Sequence, residues 1–506
     1  MLRKIRLIAA TLCFVLITLL FLDFTGTLHG WFGWLAKIQF LPAVLALNVG
    51  VVLFLVFLTL AFGRVYCSVI CPLGVFQDVI ARIGRRGKKL PYSYSPALSW
   101  LRYGVLFVFV LALVAGVGSL VALLAPYSAY GRIVNNLFQP LWMWGNNLFA
   151  YLAARVESYA FYEVDVWMKS LPTFLVALAT LVVLVVLAWR NGRTYCNTIC
   201  PVGTVLGFIS RYSLYRVTID TDKCNSCGLC ARQCKAACID SKEHKIDGSR
   251  CVACMNCLDA CRKNALTYAP VWKTKKQATG TEKPEPEDKT NLSRRRALSA
   301  TALVVMGSAL KAQEKKGEEV IMKRDGGLAP IKERKEQEKL TAIVPPGALS
   351  MRNMRQHCTA CQLCISVCPN HVLRPSGDLM TLMQPEMSYE RGYCRPECTK
   401  CSEVCPAGAI KPITKADKSS VQIGHAVWVK ANCIPLTDSV ECGNCSRHCP
   451  TNAIEMVVSD ADNPKSLKIP VINTERCIGC GACEHLCPSR PFTAIYVEGH
   501  ERHRVI

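Results

Sequence analysis

Cysteine spacing decides what chemistry this chain can do. Cys224, Cys227, Cys230 and Cys234 follow the spacing C-x-x-C-x-x-C-x-x-x-C, and Cys251, Cys254, Cys257 and Cys261 repeat it. Three thiolates spaced two apart wrap one corner of an iron–sulfur cube, while the fourth, three residues on, reaches the neighbouring cube. The predicted ligand sets are therefore Cys224, Cys227 and Cys230 with Cys261, and Cys251, Cys254 and Cys257 with Cys234. Structural zinc closes a tetrahedron from two C-x-x-C knuckles and has no use for a third evenly spaced thiol. Four more motifs follow. Cys358, Cys361, Cys364, Cys368 and Cys477, Cys480, Cys483, Cys487 are regular. Cys394, Cys398, Cys401, Cys405 has one extra residue in its first gap, and Cys433, Cys442, Cys445, Cys449 has a long insertion there. The first ligand can arrive on a loop while the other three keep the turn, so six motifs predict six [4Fe-4S] clusters. They account for all but six of the 30 cysteines.

Four of the remaining cysteines lie in an internal repeat. Gly63-Arg64-Val65-Tyr66-Cys67-Ser68-Val69-Ile70-Cys71-Pro72-Leu73-Gly74 returns as Gly192-Arg193-Thr194-Tyr195-Cys196-Asn197-Thr198-Ile199-Cys200-Pro201-Val202-Gly203. This predicts two related two-helix units facing each other. If helix continues through each segment, cysteines four apart share a face, and Cys67, Cys71, Cys196 and Cys200 could together hold a seventh metal or iron–sulfur centre. The alternative is a pair of interfacial thiols whose prolines end helices. Cys13 and Cys238 receive no role.

The elements that must position these residues are apolar. The chain is 51% hydrophobic over 506 residues, and four segments precede the first cluster run: about Leu7 to Leu22, Leu41 to Phe62, Val105 to Leu124 and Leu171 to Trp189. Each is near the roughly 20 residues needed to cross hydrocarbon. Arg3, Lys4 and Arg6, then Arg64, Arg82, Arg85, Arg86, Lys88 and Lys89, then Arg190 and Arg193, flank them. Positive flanks stay in the cytoplasm, which predicts a cytoplasmic N-terminus and, after an even number of spans, a cytoplasmic first cluster domain. The same topology and anionic lipid account for the +23 formal charge, and nucleic acid is excluded as a partner because no aromatic-interleaved basic module is present. A long outer loop carries Trp142, Trp144, Glu157, Glu163 and Asp165. Its aromatics read as an interfacial belt, and His29 and Asp23 of the first outer loop are the nearest proton acceptors for a quinol.

The expected organisation is a four-span membrane domain over residues 1–212, a cytoplasmic two-cluster domain over 213–270 and a polar linker over 271–291. An arginine-pair segment over 292–312 follows, then a charged linker over 313–342 and a four-cluster domain over 343–506. Ser293-Arg294-Arg295-Arg296-Ala297-Leu298 with its short apolar stretch reads as a twin-arginine-like export signal or a fifth membrane segment, which places residues 343–506 in the periplasm. The fold class is a membrane all-α, four-helix domain plus small, loop-rich α+β bacterial-type ferredoxin domains. Electrons passing between the two cluster domains would then have to recross the bilayer, through the membrane cysteine pairs or a bound quinone.

On the four spans, the two Tyr-Cys-x-x-x-Cys-Pro-x-Gly repeats and the two-cluster domain that follows, residues 1 to about 268 resemble the NapH type of membrane iron–sulfur protein, related to the nitrous-oxide regulator and RdxA/FixG. Residues 292–506 resemble the NapG/MauM-type ferredoxins through the arginine pair, Val344-Pro345-Pro346-Gly347-Ala348 and Gly424-His425-Ala426-Val427-Trp428. The chain thus looks like two subunits fused. The resemblance implies electron relay between the menaquinol pool of a bacterial inner membrane and a reductase or cytochrome partner. A redox-dependent assembly or regulatory factor is the alternative. It also implies that the first of the four C-terminal motifs pairs with the last and the middle two with each other. No dinucleotide fingerprint or Cys-x-x-Cys-His haem motif is present, which favours a relay over a complete enzyme. Lys235 and Arg262, following the fourth cysteines, are expected to raise the potential of the adjacent clusters.

Overall fold

The computed structural model describes residues 2–87, 92–158, 160–272, 337 and 339–506. Most of the linker over 271–291, the arginine-pair segment over 292–312 and most of the charged stretch over 313–342 lie outside the described residues.

Leu2–Leu22 and Leu171–Asn191 are unbroken helices long and apolar enough to cross a membrane. At about 1.5 Å per residue each reaches roughly 30 Å. The other two expected spans are interrupted. The second is split into Phe40–Leu45 and Val49–Phe62, where Leu47 takes a positive φ and the Asn48 side chain caps the new start by accepting from the Val51 N–H. The third is split into Ser99–Val114 and Gly118–Leu124 around Gly116, whose φ of 71° ends the first piece as a left-handed helix terminus does. Tertiary contact explains this second break. A Cβ at Gly118 would stand 2.3 Å from Gln384 Nε2 and 3.0 Å from Arg355 O, so the restart is where the C-terminal domain docks. The supposed outer loop is itself largely helical: Pro126–Ile133 and Gln139–Ala154 flank a π-helical turn over Val134–Phe138.

Five two-stranded antiparallel sheets frame the cluster domains. In the first, β1 (Tyr215–Ile219) pairs with β4 (Leu266–Pro270) and β2 (Ile239–Asp240) with β3 (Lys245–Ile246). In the second, β5 (Leu373–Pro375) pairs with β6 (Pro385–Met387), β8 (Ile454–Val458) with β9 (Lys468–Ile472), and β10 (Ile495–Val505) with β7 (Val421–Trp428). This domain begins a few residues before 343: Gln337 bonds Thr493, Lys339 pairs with Glu484, and the Thr341 N–H donates to Glu498.

The two cluster domains sit at opposite ends of the helices. At the start of Leu2–Leu22, Arg3 pairs with Asp259 of the first domain. Beyond the end of the same helix, Lys400 Nζ of the second domain donates to Thr25 O at 2.9 Å, and Asn136 donates to Gln362 Oε1 at 2.8 Å. One buried cluster of side chains runs through the body, from Val252 through Cys67, Cys196 and Tyr130 to Cys361 and Val404.

Candidate metal centres

The cluster motifs share a backbone device. In each regular motif the residues flanking the central cysteine have positive φ: Ser226 and Gly228, Ala253 and Met255, Ala360 and Gln362, Gly479 and Gly481. Left-handed conformations cost a non-glycine residue roughly 1–2 kcal/mol, and they persist where surroundings over-determine them. Here they turn successive N–H groups inward as an anion-binding nest. The Ala360 N–H, for instance, donates to Cys358 Sγ at 3.3 Å. The two irregular motifs lack the device: Thr399 and Gly443 have negative φ. Fourth cysteines are likewise met by amides, Ala265 N on Cys261 at 3.3 Å and Ala453 N on Cys449 at 3.2 Å.

The structure gathers the cysteines into quartets. Cys224, Cys227, Cys230 and Cys261 line one cavity, and Cys251, Cys254, Cys257 and Cys234 lie within electrostatic reach of one another. In the second domain Cys358, Cys361 and Cys364 meet Cys405, and Cys394, Cys398 and Cys401 meet Cys368. Cys433, Cys442 and Cys445 meet Cys487, and Cys477, Cys480 and Cys483 meet Cys449. The pairing is therefore first motif with second and third with fourth, not first with last. Among the described residues no three Cys, His, Asp or Glu side chains come close enough to share a single metal ion. The all-sulfur donor set of each quartet suits an iron–sulfur cluster.

Cys67, Cys71, Cys196 and Cys200 also converge, all buried. They do not do so along a continuous helix. Gly63 and Gly192 turn the chain, Cys67 and Cys196 lie in the short helices Val65–Val69 and Thr194–Thr198, and Cys71 and Cys200 precede Pro72 and Pro201, which open new helices. The repeats are locked by exchanged arginines. Arg64 donates to Cys196 O at 3.2 Å, and Arg193 to Cys67 O at 2.8 Å. Gly74 and Gly203 make room for this crossing, since a Cβ there would lie 2.6 Å from Arg193 Nη1 and 2.9 Å from Arg64 Nη2. From the sequence both arginines read as cytoplasmic flank charges, but both are fully buried; their identical place in the two repeats is the signal for the exchanged role.

Charge around this quartet is uneven. Asp78, buried, holds Arg193, Lys235 and Arg6 at 2.7, 2.7 and 2.6 Å. Burial alone would raise its carboxyl, but Arg193, Lys235 and Arg6 outweigh that and hold it far below the usual range. Lys235 is thus partnered by Asp78 rather than free beside its cluster. Arg64 bonds only neutral or thiol partners, among them Asn197 Oδ1 at 2.8 Å, Ser249 O at 3.1 Å and Cys67 Sγ at 3.8 Å. Arg132, fully buried between Tyr195 and Cys361, donates to Ala122 O, while its Nε and Nη2 have no partner among the described residues. A guanidinium stays charged in a protein, and a buried charge without a counter-charge is costly. Anionic metal–thiolate centres in the adjoining quartets would supply it. Cys238 adds a further contact that the motifs did not reveal: its buried thiol lies 3.5 Å from Cys234 Sγ and also bonds Cys251.

The quartets form a sequence in space. Cys257 neighbours Cys230, and Arg64 joins the Cys251 quartet to Cys67. Tyr195 and Arg132 link the quartet of the two repeats to Cys361. Cys364 neighbours Cys401, the Cys394 N–H donates to Cys480 O at 2.9 Å, and Cys483 neighbours Cys445.

Of the proposed outer proton acceptors, Asp23 is a structural cap. Burial would raise its carboxyl, but His29, Thr25 and the N–H groups of Leu28 and Gly26 outweigh burial and hold it well below the usual range. His29 Nδ1 lies 3.2 Å from it. Trp142 and Trp144 are exposed. Asp165 lines a cavity with Lys169, which burial pushes down to about 7.

Comparison with known proteins fits this geometry. The family described as "4Fe-4S binding domain" matches residues 44–91 and 173–218, one match on each cysteine repeat, and a "4Fe-4S dicluster domain" matches 440–490. The chain is therefore an iron–sulfur protein with ferredoxin-type 4Fe-4S domains and an electron-transfer role. It is 28% identical to the ferredoxin-type protein NapH of Haemophilus influenzae over 240 residues, 45% of this chain and 70% of NapH. It is 29% identical to the methylamine utilization ferredoxin-type protein MauM of Methylobacillus flagellatus over 151 residues, 29% of this chain and 64% of MauM. With the ferredoxin-type protein NapF of Escherichia coli K12 it shares 29% identity over 160 residues, 31% of this chain and 87% of NapF. No solved structure matches significantly.

Proposed function

We propose that this chain is a membrane-spanning electron conduit, a NapH-like half joined to a MauM-like half, carrying electrons between the quinol pool and a redox partner protein outside the cytoplasm. The observation that carries this reading is the continuous series of seven cysteine quartets, with the membrane quartet lying between the two cluster domains. The ligands would be the 24 cysteines of the six motifs, with Cys67, Cys71, Cys196 and Cys200 holding the seventh centre. Loaded clusters would supply one-electron carriage; the protein's own part is to hold them with thiolates, nest amides and buried arginines. The helix pairs Phe40–Phe62 and Ser99–Leu124 complete a four-span unit; the break before Gly118 is covered by Arg355 and Gln384, whereas Leu47 and Asn48 at the other break are exposed and would have to lie at the membrane edge. The first cluster domain would face the cytoplasm and the second the periplasm. This arrangement removes the need for a separate bridge between them.

The test is anaerobic addition of a menaquinol analogue, menadiol, to the purified protein. Reversible bleaching of the visible absorbance and electron paramagnetic resonance signals from reduced clusters are expected. A protein that menadiol leaves fully oxidised would refute the conduit.

A further inference from the structure

The outer end of the helices holds a cavity of about 150 Å³, a size that admits an aromatic ring at roughly that volume. One wall comes from Phe24, just after the first helix, and from the outer segment before Leu171: Met143, Trp167 and Lys169. The other is the docked domain: Ile365, Cys368 and His371. Three features make it a built site rather than a packing gap. First, the Val134–Phe138 turn is π-helical, a distortion frequent at functional sites. It delivers Asn135, which with Gln139 accepts from Lys169 Nζ, so the ammonium is fixed beside the cavity by neutral partners. Second, polar groups of both kinds, the Lys169 ammonium, the Ser366 hydroxyl, the Asp165 carboxylate and the His371 imidazole, meet an otherwise apolar and aromatic lining. Third, Trp167 is held by Arg391 and Arg374, whose guanidinium carbons lie 4.7 and 5.0 Å from its ring centre.

Access is lipophilic. The Gln139–Ala154 helix turns Gln139, Pro140 and Met143 to the cavity and exposes Leu141, Trp144, Leu148 and Leu152 on its other side. A ligand with a ring head and a long apolar tail suits this boundary between a polar-tipped pocket and hydrocarbon.

We propose that this cavity is the head-group site for an isoprenoid quinol, seating its ring between Trp167 and Met143 and against Cys368 of the Cys394 quartet. The assignment rests on the quinol reading above and adds its location and residues, on the outer rather than the cytoplasmic side.

The test uses the full, cluster-loaded protein and 2-heptyl-4-hydroxyquinoline N-oxide, whose fluorescence reports its own binding. Met143→Trp should fill the cavity and weaken binding at least tenfold, with the resonance signals of the clusters unchanged. In parallel, a photoactivated azidoquinone should label wild-type peptides containing Met143 or Trp167, which decides the matter even if the variant fails to fold. Undiminished binding by the variant, or label instead on the inner cavity lined by Tyr92 and Arg190, would overturn the location while leaving menadiol reduction of the clusters intact. A tightly held phospholipid in the cavity that the N-oxide cannot displace would overturn it too.

Discussion

Asp78 pairs with three cations at once, and Asp78→Asn tests what that holds together. Its carboxylate joins three separate parts of the sequence: Arg6 of the first helix, Arg193 of the second cysteine repeat and Lys235 of the first cluster domain, at 2.6 to 2.7 Å. At an effective dielectric of about 20 each contact is worth roughly 6 kcal/mol gross, most of it offset by drying four charges. The asparagine variant loses the attraction but keeps three buried cations, so a net loss of about 3–5 kcal/mol is expected. The pH dependence follows from the sign of the shift. The folded carboxyl lies below its unfolded value, so its contribution is complete above the unfolded pKa of about 3.9 and is lost as pH falls toward the folded value. The gap between variant and wild type should therefore be constant near neutrality and narrow below about pH 4. Adding Lys235→Met should recover about 1 kcal/mol or more by removing one unpaired cation. The assay is denaturant unfolding of detergent-solubilised protein without oxygen, followed by loss of the iron–sulfur absorbance. A variant within about 1 kcal/mol of wild type at neutral pH, against the 3–5 expected of a broken buried pair, would refute the argument.

Other consequences follow from particular contacts. Cys238→Ala removes a thiol that bonds Cys234 and Cys251, so the midpoint of that cluster should fall by about 20–60 mV, the equivalent of roughly 0.5–1.4 kcal/mol per electron; an unchanged redox titration would remove Cys238 from the site. Gly203→Ala places a Cβ 2.3 Å from Cys196 O and 2.9 Å from Arg64 Nη2, and should destabilise by about 1–3 kcal/mol while reducing iron content at the membrane quartet. Cys67→Ala should lose one cluster's iron by elemental analysis and leave the spectra of the other six. A periplasm-dependent reporter fused after Ile506 should be active; activity only of a cytoplasmic reporter would convert the conduit into a cytoplasmic relay.

The sequence by itself determined the cysteine chemistry. Spacing of two, two and three residues is a local property, because a cluster's three clustered ligands and their nest of amides lie within seven consecutive residues, and no distant contact is needed to shape the turn. The crossover of Cys234 and Cys261 is not local, but with only two motifs in the domain a fourth cysteine that points away from its own cluster has one other cluster to reach. Helix continuity was not legible, because the break at Gly116 answers to what packs against it, as the contact of Gly118 with Gln384 shows. The pairing of the four C-terminal motifs, the exchange of Arg64 and Arg193 between repeats, and the bond of Lys235 to Asp78 were likewise settled only by the tertiary structure. Each joins residues tens to hundreds of positions apart, and which buried cation finds which counter-charge depends on packing that no local pattern encodes.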